Sequence, residues 1–109
     1  MQSPEPQFYL LHIRDCCLEL LECARLRDLG DIPASILLNA ASRNLEIIGE
    51  ASRKIGEGFR SSHPEIPSRE MNSLRNVLIH NYVGADPDMI WAIVDQEIPT
   101  LLEAITRLL

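Results

Sequence analysis

Four side chains able to bind and move charge fall within eight positions of the stretch SLRNVLIHNYVGAD, residues 73–86: Arg75, Asn76, His80 and Tyr82. Each offers a chemistry that a plain solvated helix face does not need. A guanidinium fork holds a phosphate through two parallel N–H donors and stabilises the extra negative charge of a phosphorane. An imidazole with an unperturbed pKa of about 6.5 takes and returns protons near neutrality. Together they can cleave RNA through its own 2′-hydroxyl without a metal. Asn76 and Tyr82 add a planar amide and a phenol.

Placement on a helix separates this group from the core. With Arg75 at zero and a step of ~100° per residue, Met71, Leu74, Val77 and Leu78 occupy an arc at roughly 200° to 320°. Asn72, Arg75, Asn76, Ile79 and His80 occupy roughly 0° to 140°, with Tyr82 close to Arg75. This second face carries no acid beside its cations, and Ile79 in its middle is an exposed apolar residue unless another subunit covers it. A structural reading of the same residues has Arg75 and His80 bridging to Glu46 or Glu50 of a neighbouring helix. Residue types alone leave the catalytic and the structural reading open.

The elements that must position this face are helical. Residues 9–29 carry Leu10, Ile13, Cys17, Leu20, Leu21 and Ala24 at helical spacing, after a tail with Pro4 and Pro6 that leaves residues 1–7 as a flexible lead. Gly30 and the GDIP turn end this helix and start a second one over 34–55, with Leu37, Leu38, Ala41, Leu45, Ile48, Ala51 and Ile55 on one stripe. GEGFRSSHPEIP reads as a loop, with His63 solvated before Pro64. A third helix starts near Ser68, runs through the four polar residues and stops at Gly84. Asp86 then caps a last helix with Pro87 in its first turn, and Pro99 kinks or divides it. No stretch alternates with period two. The expectation is an all-α antiparallel bundle of four to five helices, one domain over 1–109.

Composition narrows the partners. The chain of 109 residues has a formal net charge of -6, which argues against gripping long duplex nucleic acid through the overall field. It suits an acidic body that docks a basic protein. Cys16, Cys17 and Cys23 lie in one apolar segment without a CxxC pair and read as reduced core thiols. No run reaches the ~18 apolar residues of a membrane span, and MQSPEPQF has no basic-then-apolar leader. These points place the protein in the cytoplasm as an expectation. The histidines are scattered and no carboxylates cluster at ligand spacing. Neither GxxxxGK[ST] nor GxGxxG occurs, so no metal or cofactor is expected.

The text also carries a resemblance. LRNVLIHNY is similar to the Arg-x4-His-x-Tyr signature of the HEPN superfamily, and RNLEIIGEASRKI, HPEIP, MNSLRNVLIHNYVGAD and IWAIVDQEIPTLLEAI follow in the order found in HepT-like toxins of the HepT/MntA toxin–antitoxin system. The likeness covers roughly residues 37–109 closely and the first helix loosely. It implies a HEPN fold, and a homodimer with two copies of the motif facing each other across a cleft. It further implies a metal-independent endoribonuclease that is toxic to its cell. On that reading Arg75 neutralises the scissile phosphate, His80 transfers the proton and Asn76 orients the RNA. Tyr82 also resembles the acceptor to which a cognate MntA-like nucleotidyltransferase antitoxin attaches AMP, an anionic adduct that would occupy the cation beside it. Glu46 and Glu50 either orient Arg75 or solvate the bundle. His12 reads as a helix-surface residue. The competing expectation is a non-catalytic module that holds a nucleotide or docks the nucleotidyltransferase.

Overall fold

The apolar spacing of the first segment becomes burial. In α1 (Pro6–Leu29), Ile13, Cys17 and Leu20 are wholly excluded from solvent, and Leu10 nearly so. The computed structural model describes residues 6–64, 66, 67, 69, 71 and 86–109. Its helices among these are α1, α2 (Ala34–Ile55), α3 (Glu57–Ser62), α4 (Pro87–Gln96) and α5 (Ile98–Leu108), with no strand among the described residues. α1 begins at Pro6 rather than near Tyr9. Proline suits the first turn of a helix, whose N–H groups have no intrahelical acceptor in any case, so Pro6 and Gln7 are helical rather than part of a lead.

α1 is the central element: it packs most extensively on α2, then on α5, and also touches α4. Its stop is Gly30, at φ 78°, whose N–H bonds the Leu26 carbonyl at 3.2 Å. A left-handed residue there costs glycine no Cβ clash. α2 follows Pro33 and buries Leu37, Ala41, Leu45, Ile48, Ala51 and Ile55. Two polar residues share this buried face, and both are satisfied locally. Asn44 donates to the Ala40 carbonyl at 2.9 Å and Ser52 to that of Ile48 at 2.7 Å, so neither brings an unpaired dipole into the core.

Within the expected loop the chain forms α3, a short helix. Gly56 at φ 93° ends α2, Glu57 supplies an acid to the first turn of α3, and Phe59 packs partly against the core. Phe59 is the reason the segment does not stay open: burying a ring offsets the cost of ordering one turn and a half. His63 is half-buried rather than solvated. Its ring stacks on Phe59 at 4.1 Å between centroids, with Nδ1 3.1 Å from the Phe59 carbonyl oxygen.

The last two helices follow their punctuation. The Asp86 carboxylate accepts from the Asp88 N–H at 3.0 Å and Pro87 opens α4. Glu97 separates α4 from α5, with Pro99 in the first turn of α5. Because proline has no N–H for the carbonyl four residues back, the division falls where its ring prevents a continuous ladder. α4 and α5 together bury Ile90, Val94, Ile98, Leu101 and Ile105. The α1–α4 junction is clamped by Arg27, which meets both Asp95 carboxylate oxygens at 3.1 Å and lies 4.7 Å over the Trp91 ring. Its Nε also donates to Asp28 at 3.0 Å. The hydrogen bonds to Asp28 and then to Asp95 raise the Arg27 pKa above its ordinary value. No described helix is long and apolar enough to cross a membrane.

Candidate functional site

The described residues that flank the charged motif are Met71 and Asp86. On the near side the Met71 N–H bonds the Pro67 carbonyl at 3.1 Å, so helical bonding begins directly after the proline as its position requires. Met71 is only 1% exposed, in agreement with its place on the expected core arc. On the far side stands the Asp86 cap of α4. Arg75, Asn76, His80 and Tyr82, together with Leu74, Val77, Leu78 and Ile79, lie outside the described residues.

Glu46 and Glu50 are described, on the exposed side of α2. Arg43 pairs with Glu46 at 3.3 Å and Arg53 with Glu50 at 3.1 Å, both as i,i+3 neighbours along the helix. All four side chains are more than half exposed, so these pairs contribute little to stability. Their consequence is positional: they hold two carboxylates one turn apart on a common face.

That face forms one wall of a cleft of about 260 Å³ between α1 and α2. Phe8, Tyr9 and His12 come from α1; Arg43, Glu46, Glu50 and Lys54 come from α2, over a floor of Ile47 and Ala51. α1 and α2 run in opposite directions through a short turn, which brings the beginning of one beside the end of the other. Phe8 and His12, four apart, stack at 5.4 Å with 24° between planes. Tyr9 meets the Phe8 ring edge-on at 5.4 Å and 82°. The sequence places His12 on the helix surface, where it is, and leaves Phe8 just before the expected helix start at Tyr9. The i,i+4 aromatic pair was the signal that could have joined them. Nothing local in the sequence joined either to Glu46 and Glu50, because only the packing of α1 on α2 does so. Among the described residues no group of three His, Cys, Asp or Glu side chains comes together as a metal cage.

The three cysteines take no part in this cleft. Burial, then Glu19 and Asp15, push the Cys16 thiol up to about 11, and burial followed by Cys16 pushes Cys17 up to about 12. Such thiols stay protonated and make poor nucleophiles or ligands.

Helices that enclose one apolar core, with an Arg-x4-His-x-Tyr segment running between Met71 and the α4 cap, define an all-α bundle of the HEPN class. A family model described as Ribonuclease HepT-like matches residues 13–108. The chain belongs to this HepT-like family. It is 36% identical over 102 residues to "Putative RNase MJ1380" of Methanocaldococcus jannaschii, covering 93% of this chain and 94% of that protein. It is also 36% identical over 110 residues to "Putative RNase TTE0752" of Caldanaerobacter subterraneus, covering 100% and 96%. Over 62 residues it is 52% identical to "Probable ribonuclease HepT" of Thermococcus cleftensis, 57% of this chain and 56% of that one. No solved structure matches the chain significantly.

Proposed function

We propose that the protein is an endoribonuclease toxin that cuts RNA without a metal, in a cleft between two copies of the chain. The observation that carries this reading is the family match over residues 13–108, which spans the Arg75 to Tyr82 motif. The RNase names of relatives aligned along nearly the whole chain support it. Arg75 holds the scissile phosphate and takes up the charge added when the 2′-hydroxyl attacks. His80 removes or returns the proton at the attacking or leaving oxygen. Asn76 and Tyr82 orient the RNA. Pairing two copies fits a 109-residue chain, too short to enclose a deep site alone.

Silencing follows from the same layout. A cognate nucleotidyltransferase antitoxin transfers AMP from ATP to the Tyr82 phenol oxygen, releasing pyrophosphate. The added phosphodiester carries a negative charge seven positions from Arg75 in sequence, which the helical periodicity of this stretch would put on the same face. The adduct competes with RNA for that cation.

Incubating the purified protein with single-stranded RNA in EDTA tests the core of the reading. Wild type is expected to cleave, and His80→Ala and Arg75→Ala to lose at least ~100-fold in rate, the size of a lost proton-transfer or oxyanion contribution, while remaining helical. Equal cleavage by wild type and both variants would refute the assigned roles. The net charge of -6 favours a second reading, a docking module for the nucleotidyltransferase, because a general RNA cutter gains capture rate from positive potential. Absence of cleavage by wild type together with tight binding of the nucleotidyltransferase would establish that reading instead.

A further inference from the structure

A nuclease with this net charge cannot hold RNA through its overall field, so its grip on the strand has to come from short-range contacts. The α1–α2 cleft offers such contacts. Phe8 is 50% exposed, with His12 stacked on its ring and the Tyr9 ring nearly perpendicular to it. A ring half exposed at the surface contributes little to the core, and its exposed part can meet another planar group. Lys54, on the exposed end of α2, lines the same cleft and forms no ion pair among the described residues. Arg43 lines it too, paired with Glu46 where both are largely in solvent.

We propose that this cleft is a subsite for an unpaired base of the RNA strand, which stacks on the Phe8–His12 pair while a neighbouring phosphate meets Lys54. The inference rests on the nuclease reading above and adds to it where a base outside the scissile position is held. Stacking on aromatic side chains is the usual way single strands are gripped without reading sequence, since every base presents a π face. The cleft volume of about 260 Å³ suits a single base with its sugar rather than a longer ligand. Phe8 and His12 lie on α1, more than sixty positions from residues 75–82, so substituting them alters no motif side chain.

The test uses the full chain with His80→Ala to prevent cleavage, and a fluorescently labelled single-stranded RNA followed by anisotropy. Phe8→Ala and His12→Ala are expected to weaken binding about tenfold each, and Phe8→Trp to restore it. Lys54→Ala is expected to lower the slope of log K against log salt by about 0.7, the loss of one phosphate contact on a single strand. Helicity and melting temperature of each variant confirm that the fold is retained. Unchanged RNA affinity in Phe8→Ala would overturn the subsite. The nuclease reading would then still stand if chains with an intact His80 cleave RNA. If wild type neither cleaves nor binds RNA, both fall. If Phe8→Ala weakens binding of the nucleotidyltransferase but not of RNA, the cleft is a protein dock and the proposal is refuted.

Discussion

The clamp at Arg27 is the contact most exposed to a quantitative challenge. Its guanidinium bridges α1 to α4 through two 3.1 Å bonds to Asp95 and lies over Trp91 at 4.7 Å. The Arg27 side chain is 26% exposed and that of Asp95 47%, so the ion pair is partly screened. An exposed pair contributes about 0.2–1 kcal/mol, and a cation over an indole about 0.5–2 kcal/mol depending on how dry it is. Adding the apolar stem laid on the helix, Arg27→Ala is expected to cost about 2 kcal/mol. At ~4–8 °C per kcal/mol for a domain near this size, the melting temperature falls by roughly 10 °C. Arg27→Lys should recover only part of this, because an ammonium neither spans both carboxylate oxygens nor stacks flat on a ring. Thermal melts followed by circular dichroism measure the loss, and a double-mutant cycle with Trp91→Leu isolates the ring contact. A drop of less than about 2 °C in Arg27→Ala, or a coupling energy of zero, would refute the view that the clamp fixes α4 against α1.

Four further outcomes follow from the same packing and chemistry. Leu20→Ala, at a fully buried site on α1, is expected to cost ~2–5 kcal/mol in urea unfolding. Asp86→Ala removes the side-chain cap of α4 and should cost about 1 kcal/mol, whereas Asp86→Asn retains most of it; equal losses would show that the cap is not the cause. The Cys17 thiol is raised from 9.0 to about 12 in the folded chain. The folded state therefore binds more protons than the unfolded chain above pH 9, so this contribution is complete below pH 9 and is lost as pH rises toward 12. The urea midpoint should decline from about pH 9 upward, and Cys17→Ala should flatten the decline. Finally, the proposed silencing predicts that, with ATP and a cognate nucleotidyltransferase, wild type gains one AMP by mass spectrometry and loses RNA cleavage while Tyr82→Phe gains none; adduct formation on Tyr82→Phe would point to another acceptor.

Most of the helical plan was legible along the chain because its signals are local. Pro33, the left-handed Gly30 and Gly56, the Asp86–Pro87 start and Pro99 each act within one turn, and the helix bounds fell beside them. The 3.6-residue period of Leu37, Ala41, Leu45 and Ile48 could be read directly as a buried stripe. Where reading failed, a longer-range contact was responsible. Gly58 and Pro64 argued for an open loop at 56–67, yet Phe59 reached the core and drew Glu57–Ser62 into a helix, with His63 packed on its ring.

The candidate site divides along the same line. The motif Arg75, Asn76, His80 and Tyr82 is a proposal from residue types, spacing and family likeness, and its side chains lie outside the described residues. The family membership, with its match over residues 13–108, rests on the same text. What no local pattern contained was the company kept by Phe8, His12, Glu46, Glu50 and Lys54, more than thirty positions apart between the two groups. Only the antiparallel docking of α1 on α2 lines them along one cleft, because burying Ile13, Leu20, Leu45 and Ile48 together leaves the helix pair one register, and that register sets which polar residues meet at its edge.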